Sequence, residues 1–344
     1  MSLKAYDETY IQNIADAIRK RTGTEDTYTV AKMADAIAEG IPAGTDTLAA
    51  LFNGTLEEWT PTKDDLVKGC VKYGLAFFSA PKIVKIPDDI DVKYPGESFF
   101  RENDGVVDID FGGLIETGAY ACSGCKSLKT ASGFNIISIS ERAFNGCTDL
   151  TTVLMPSATL VEQNAFSGCS TLADVTGLAA IEDIGNDAFS STGSLADISP
   201  LTHLHTIGSS AFMQSSTNQG LTAFENAPAT QAGSSIGANA FQRNTKMTKL
   251  KIKFASVGGA AFAYCSGLTT CWISSECTTI DASSKYNLLF GYCSRLTAIY
   301  TDAAEKPAGW GTYFNYTQLG STATVHYGVT EAEYDELVAA ANNA

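Results

Sequence analysis

The chain repeats one pattern of apolar and polar positions with a period of mostly 20 to 24 residues. At the centre of each copy stands an aromatic residue, usually a phenylalanine that follows a small residue, and we call this position the anchor. The ten anchors are Phe77, Phe100, Tyr120, Phe144, Phe166, Phe189, Phe212, Phe241, Phe262 and Phe290. A sustained internal repeat of this length predicts a solenoid, in which stacked copies bury one continuous core.

Further apolar positions flank each anchor and predict strands. An aliphatic residue lies five positions before the anchor, from Ile115 to Val257, and apolar residues lie six and nine positions after it, beginning at Ile83 and Ile86. The later stretch, such as LTTVLMP, is typical of a short strand. Strands of successive copies are expected to pair in parallel, about 4.8 Å apart. The pattern therefore predicts an α/β repeat solenoid with a parallel β-sheet on one face.

Cysteines occupy one particular slot of this repeat. Three positions after the anchor stand Cys147, Cys169, Cys265 and Cys293. The same slot in other copies holds Ala80, Asn103, Thr192 and Asn244. Small or weakly polar side chains at one position predict a tight, buried turn, where free cysteine acts as a small hydrophobic residue. We interpret these cysteines as core residues, with occasional disulfides as the alternative.

The sequence contains no strong signal for a metal, a cofactor or an active site. Cys122 and Cys125 form a C-x-x-C in the copy of Tyr120, which carries an apparent two-residue insertion, but no second such motif or nearby histidine accompanies them. A zinc or redox site is therefore disfavoured. The only histidines are His203, His205 and His326. No nucleophile motif or phosphate-binding loop stands out, so we expect no enzyme, no metal and no cofactor.

The repeat unit I-G-x-x-A-F-x-x-C-x-x-L-x-x-V-x-I-P resembles the leucine-rich repeat of the BspA-like class, which is common in surface proteins of gut and oral bacteria. The match is close in ISERAFNGCTDLTTVLMP from Ile139 and IGNDAF from Ile184, and in KIVKIP from Lys82. The resemblance covers about ten coils over residues 66–302. It implies a leucine-rich repeat solenoid that serves in adhesion or protein binding and has no shared catalytic residues.

The first 41 residues follow a different pattern. Two sets of apolar residues have helical spacing: Ile11, Ile14, Ala15 and Ile18, then Val30, Met33, Ala34 and Ile37. They predict a helical hairpin over 1–41, followed by a linker or N-terminal cap over 42–65. The segment also resembles an N-terminal segment of tail-associated and surface proteins of phages and prophages of Gram-positive bacteria. The hairpin is expected either to cap the solenoid or to dock the protein onto a larger particle.

The last stretch, 303–344, is predicted to close the solenoid. TEAEYDELVAAA begins with a capping box from Thr330 to Glu333, which predicts a helix. Solenoids need atypical ends to stay soluble, so a C-terminal cap is the expected role.

Charge and hydropathy narrow the possible partners. The chain has 23 Lys+Arg against 38 Asp+Glu, a net charge of −15, which argues against a nucleic-acid partner. No apolar run approaches the length of a membrane span. The N-terminus, MSLKAYDETYIQN, does not resemble a secretory signal.

The best candidates for a binding site are large side chains of the late coils. Lys251, Trp272 and Tyr300 fall ten positions after their anchors, on outward strand positions, with Lys249 beside Lys251. Tyr264 and Tyr292, two positions after their anchors, are expected to form another exposed pair. Aromatic faces beside cations suit sugars, peptides or anionic glycans. In the alternative, Trp272 and Tyr300 pack beneath the C-terminal segment with Trp310 and Tyr313.

Two binding hypotheses follow, and both place the protein on an outward-facing surface. In the first, the chain is a recognition protein on a phage tail-type particle, attached through the N-terminal hairpin. In the second, it is a bacterial cell-surface adhesin of the BspA type. The expected ligand in either case is a surface protein or glycan of a target cell.

Overall fold

The computed structural model describes residues 57–61, 63, 82–214, 220–225 and 233–342. These residues form a stack of coils that contribute short strands to parallel sheets. The hairpin predicted over 1–41 lies outside the described residues, as does most of the linker predicted over 42–65.

In chain order the strands are β1 (Glu58–Trp59), β2 (Ile83–Lys85), β3 (Asp108–Asp110), β4 (Thr130–Ser132), β5 (Ser138–Ile139), β6 (Thr152–Leu154), β7 (Leu160–Val161), β8 (Asp183–Ile184), β9 (Thr206–Ile207), β10 (Ala223–Phe224), β11 (Ser235–Ile236), β12 (Lys249–Ile252), β13 (Ser256–Val257), β14 (Thr270–Ile273), β15 (Thr279–Ile280), β16 (Ala298–Thr301), β17 (Tyr316–Gln318), β18 (Ser321–Thr322) and β19 (Thr324–Tyr327). Helix α1 spans Glu331–Asn342, and Thr176–Leu178 form a short 3-10 helix.

Parallel pairing joins equivalent positions of successive coils. The orders β1-β2-β3-β4-β6 and β10-β12-β14-β16-β19 give two sheets built from the stretch that follows the anchor. A third sheet, β15-β13-β11-β9-β8-β7-β5, is built from the aliphatic position before the anchor. The predicted parallel-sheet solenoid is confirmed. The second ladder of strands, and the break in the first ladder where Thr176–Leu178 form a 3-10 helix, were not predicted.

A column of stacked phenylalanine anchors fills the core. Phe144, Phe166, Phe189, Phe212 and Phe241 are each 0% exposed. Consecutive rings in this series stand 5.2 to 5.3 Å apart between centroids and are nearly parallel. Each stacked pair stabilises the coil interface by about 0.5–1.5 kcal/mol beyond the area that it buries. The rings therefore reinforce the spacing and register that the parallel strands give the coils.

One anchor differs from the prediction, because Cys122 rather than Tyr120 takes the phenylalanine position. Cys122 makes the same hydrogen bonds as the anchor Phe144. The backbone N–H of each donates to the coil that follows. The carbonyl oxygen of each accepts a bond from a cysteine of that coil, Cys147 Sγ for Cys122 and Cys169 Sγ for Phe144. Cys122 is separated by 22 residues from the anchors on either side. The two-residue insertion inferred for this coil does not exist.

Two other positions of the repeat are also occupied by residues different from those predicted. Val84 pairs with Ile109, which lies nine positions after Phe100, so Val84 and not Ile86 takes the equivalent strand position in the preceding coil. Thr117, which is fully buried, takes the position five residues before the corrected anchor, whereas Ile115 is 36% exposed.

The cysteine slot is a buried hydrogen-bonding position. In each coil that has cysteine there, Sγ donates to the carbonyl oxygen of the preceding anchor at 2.8 to 3.3 Å. These donors are Cys125, Cys147, Cys169, Cys265 and Cys293. The eight described cysteines are all free and buried, and burial raises the pKa of Cys169 and of Cys293 to about 12. Their interpretation as core residues is confirmed. Of the C-x-x-C pair, Cys122 is the anchor of its coil and Cys125 occupies the cysteine slot.

The predicted C-terminal helix is α1, and the capping box at its start is present. Thr330 N–H and Oγ1 both lie 2.8 Å from Glu333 Oε2, and Glu333 N–H donates to Thr330 Oγ1 at 3.3 Å. These bonds to the carboxylate lower the pKa of Glu333. Within the described part of the chain, no helix combines the length and apolar character needed to cross a membrane.

Candidate functional site

The large side chains of the late strands line up as the sequence predicts. Lys251 of β12 pairs with Trp272 of β14, which pairs with Tyr300 of β16, and His326 of β19 continues the row. The Tyr300 and His326 rings stack with their centroids 4.7 Å apart. The predicted alignment of Lys251, Trp272 and Tyr300 is therefore present. Whether these side chains can form a binding site depends on their exposure to solvent.

Helix α1 covers this row, so the expected exposure of Lys251 and Trp272 is wrong. Lys251 is 8% exposed and Trp272 4% exposed. The Trp272 indole N–H donates to Val329 O at 3.0 Å, immediately before the helix. The sheet is covered because the chain turns back over it after β19.

The partners of Trp272 and Tyr300 also differ from those expected. Trp310 donates its indole N–H to Cys277 O at 2.6 Å and packs on Phe314, so it belongs to another part of the stack. Besides His326, Tyr334 of α1 packs on Tyr300, at 5.4 Å between centroids. The alternative of burial beneath the C-terminal segment is confirmed for Trp272, with other contacts than those predicted.

An ion-pair cluster holds α1 on the sheet. Lys251 Nζ lies 3.0 Å from Glu331 Oε1 and 2.7 Å from Asp335 Oδ1, and Lys253 Nζ lies 2.8 Å from Glu331 Oε2. Burial alone would lower the pKa of Lys251, but hydrogen bonds to Asp335 and Glu331 outweigh it and raise the pKa overall. Burial alone would raise the pKa of Glu331, but hydrogen bonds from the two lysines lower it overall. Both shifts show that docking favours the charged forms.

Lys249, at the start of β12, is the exposed lysine of this group. Its Nζ lies 3.9 Å from Glu225 Oε2, at the limit of an ion pair, and 56% of its side chain is exposed. The predicted strand-face site therefore divides into a row covered by α1 and one exposed lysine.

The turn that follows each anchor contains a column of residues in the left-handed backbone region. The residue two positions after the anchor has a φ between 58° and 77° in eight coils. These residues are Glu102, Gly124, Gly146, Gly168, Ser191, Arg243, Tyr264 and Tyr292. Glycine adopts this conformation freely, whereas other L-residues adopt it at a cost of about 1–2 kcal/mol. Three coils use glycine, and the last three use the bulkiest side chains of the column.

Arg243, Tyr264 and Tyr292 form what we call the turn ladder. The two tyrosine rings stack at 4.6 Å between centroids with an 11° angle, and the Arg243 guanidinium lies 5.6 Å from the Tyr264 ring centroid. Tyr264 is 38% and Tyr292 59% exposed, and Arg243 is exposed as well. The structure thus places the predicted tyrosine pair together on the surface, and its role in binding stays a prediction.

The backbone fixes the turn ladder from one coil to the next. Arg243 N–H donates to Ala263 O at 2.9 Å, and Tyr264 N–H donates to Gly291 O at 2.6 Å. Tyr292 N–H donates to Thr317 O at 2.6 Å. The side chains therefore project from a rigid row of hydrogen bonds. Arg243 was missed from the sequence, although its slot, shared with Gly124, Gly146 and Gly168, could have identified it.

The histidines lie apart from the turn ladder and do not form a cluster. His205 Nδ1 lies 3.8 Å from Asp183 Oδ1, and His203 Nδ1 lies 3.1 Å from Ala179 O. The described ranges contain no group of three or more His, Cys, Asp or Glu side chains arranged to hold a metal ion.

Similarity to solved structures is limited. A leucine-rich repeat protein of T. pallidum is 25% identical, with a TM-score of 0.40 over 54% of this chain and 78% of that chain. A leucine rich cell surface protein of Faecalibacterium prausnitzii A2-165 is 17% identical, with a TM-score of 0.34 over 74% of this chain and 89% of that chain. A leucine-rich repeat protein of Bacteroides ovatus ATCC 8483 is also 17% identical, with a TM-score of 0.34 over 71% and 91%. No curated protein matches the sequence.

The repeat itself is diagnostic. The BspA type leucine rich repeat region matches residues 115–224 and 219–304 in six copies, which is more than half of the 344-residue chain. The matched part contains the stacked phenylalanines, the cysteine slot and the turn ladder. The chain therefore belongs to the BspA-type leucine-rich repeat family.

Proposed function

We propose that this chain is a non-catalytic recognition protein that binds a protein or glycan of a target surface through its solenoid. The observation that carries the proposal is the turn ladder, in which Arg243, Tyr264 and Tyr292 occupy strained left-handed positions on the surface. Three other coils place glycine at the same position without loss of the fold. Bulky residues kept in a strained conformation are typical of functional sites.

The chemistry of the turn ladder suits binding rather than group transfer. Tyrosine and arginine supply large, rigid contact surfaces and hydrogen-bond donors, and they dominate the energy of many interfaces. The coil interfaces hold these side chains in register, so little conformational freedom is lost on binding.

We further propose that the protein is displayed on a phage tail-type particle, attached through residues 1–41. The resemblance of that segment to tail-associated proteins supports this placement. Membership in the BspA-type family supports the alternative, a bacterial cell-surface adhesin. Immunogold labelling of a producing culture distinguishes the two, because the label follows tail-like particles in the first case and cell envelopes in the second.

The binding proposal is tested with the labelled full chain on a panel of intact bacterial and host cells. We expect saturable binding to at least one cell type, and its loss in the variant that combines Tyr264→Gly with Tyr292→Gly. Ser191→Gly is the matched control, because it places glycine at the same left-handed position in a coil where that position has no aromatic side chain. Wild-type binding by the double variant, or no binding by the wild-type chain, would overturn the proposal.

A further inference from the structure

The coils that carry the turn ladder have a charge opposite to that of the whole chain. The net charge of the protein is −15, yet residues 241–300 contain seven Lys or Arg and only two Asp or Glu. The seven basic residues are Arg243, Lys246, Lys249, Lys251, Lys253, Lys285 and Arg295. A local excess of positive charge attracts anionic ligands, even when the molecule as a whole repels them.

Only some of these cations are available to a ligand. Lys251 and Lys253 form ion pairs with the carboxylates of α1, and Lys249 lies near Glu225. Lys285 is exposed, with its Nζ 5.1 Å from the Tyr286 ring centroid. Arg243, Lys246 and Arg295 are exposed as well. Within the described residues, no carboxylate lies within ion-pair distance of these last three, so their charges are not neutralised by the fold.

Lys246 and Arg295 occupy equivalent positions in the turn beside the ladder. Each is the third residue of a turn closed by a backbone hydrogen bond, Met247 N–H to Asn244 O at 3.0 Å and Leu296 N–H to Cys293 O at 3.1 Å. Gly267 takes this place in the coil between them. The two cations are therefore two coils apart, about 10 Å, and each follows a ladder residue by three positions.

We infer that the turn ladder, together with Lys246 and Arg295, binds an acidic glycan, with pyranose rings that carry carboxylate groups. A sugar ring packs against the exposed face of Tyr292, and carboxylates of the chain pair with the cations beside it. Charge-assisted hydrogen bonds from arginine to carboxylate supply both energy and orientation. The row of cations runs along the stack, so it suits a linear chain of sugars. The inference rests on the proposed recognition function and names its ligand class.

A nucleic acid is the competing polyanion, and the observations favour the glycan. Nucleic-acid binding depends on neutralising many phosphates, whereas this surface has three free cations in an acidic protein. Single-stranded nucleic acids stack successive bases on separate aromatic side chains. Here the two tyrosine rings stack on each other and leave one broad face, at Tyr292.

The test is a glycan array probed with the labelled full chain. The array carries uronate-bearing and sialylated oligosaccharides beside their neutral counterparts, and oligo(dT) is included as the nucleic-acid probe. We expect acidic glycans to bind and neutral ones not to bind, with affinity that falls as ionic strength rises. Lys246→Glu with Arg295→Glu should weaken binding by about tenfold or more, as should Tyr264→Gly with Tyr292→Gly. Lys126→Glu, an exposed lysine in the corresponding turn of an early coil, should leave binding unchanged.

The remaining outcomes overturn the inference in different ways. Equal binding of neutral glycans removes the role of charge, and stronger binding of oligo(dT) identifies a nucleic-acid surface instead. If no glycan binds while the chain still binds intact cells through the turn ladder, the ligand class is wrong and the proposed function stands. If neither glycans nor cells bind, the proposed function fails as well.

Discussion

In six coils the residue three positions after the anchor has two tasks: it fills a small buried space, and it satisfies a carbonyl oxygen of the preceding coil. A cysteine thiol does both in five coils, with Sγ 2.8 to 3.3 Å from that oxygen. Asn244 does the same with its amide, which donates to Phe212 O at 2.8 Å. The thiols are therefore structural, and their chemistry is suppressed by burial.

Thiol reactivity tests this assignment. Because burial raises the pKa of Cys169, Cys277 and Cys293 to about 12, almost no thiolate is present in the native protein near pH 8. We expect the eight described cysteines to react with a chromogenic disulfide reagent only after unfolding in guanidinium. Rapid reaction of several thiols in the native protein, or disulfides in the unfolded, non-reduced protein, would contradict the assignment.

At the residue scale, core positions could be predicted from the sequence wherever the same residue type recurs at one position of the repeat. The phenylalanine and cysteine columns were visible because the same residue types recur at a fixed spacing. Cys122 was missed because a cysteine stands in the aromatic slot and Tyr120 lies only two residues away. The strain at Tyr264 and Tyr292 was also missed, since a backbone angle becomes visible only when the glycines of equivalent coils are compared.

At the scale of single elements, α1 determines which surface of the late coils is accessible. Its capping box is a local signal, so the helix could be predicted from Thr330 and Glu333. Its docking depends on contacts between residues far apart in the sequence, such as Lys251 and Glu331, 80 positions apart, which no local pattern encodes. The one available signal was charge complementarity between the lysines of β12 and the two carboxylates on one face of α1.

Acid should release α1 before the coils unfold. The pKa of Glu331 is lowered in the folded state, so its contribution is present above its ordinary value of 4.5 and is lost as pH falls through the folded pKa. Lys251 has a raised pKa, so its contribution is present below 10.5 and is lost as pH rises through the folded pKa. The docked helix is therefore most stable between these limits. Since the pairs are partly exposed, the effect is about 1 kcal/mol or less.

Amide hydrogen exchange, corrected for its intrinsic pH dependence, measures this release. Below about pH 4.5 we expect faster exchange in α1 and unchanged protection in the coil of Phe166. Glu331→Gln should remove most of the acid dependence, and Glu336→Gln, at an exposed position of the same helix, should not. Equal loss of protection in α1 and in the coils would show that the ion pairs do not control docking.

At the scale of the whole molecule, the stack combines a stabilising core with a surface that differs from one end to the other. Stability is shared among coil interfaces, which are built from rows of hydrogen bonds and, from Phe144 to Phe290, from stacked phenylalanines. The early coils show Glu102, three glycines and Ser191 in the left-handed column, and the late coils show Arg243, Tyr264 and Tyr292. This change in the column places the proposed binding surface at the C-terminal part of the solenoid.

The central claim is that the turn ladder serves binding and not the fold, and thermal unfolding of the Tyr264→Gly, Tyr292→Gly variant tests it most directly. Relief of left-handed strain, about 1–2 kcal/mol per residue, should roughly cancel the lost ring stacking, about 0.5–1.5 kcal/mol, and the added flexibility of glycine. We therefore expect a Tm within about 2 °C of the wild type. Phe166→Ala, as the core control, should cost about 3–5 kcal/mol and lower the Tm clearly. A fall of similar size in the double glycine variant would show that the tyrosines are part of the core, and would contradict the account.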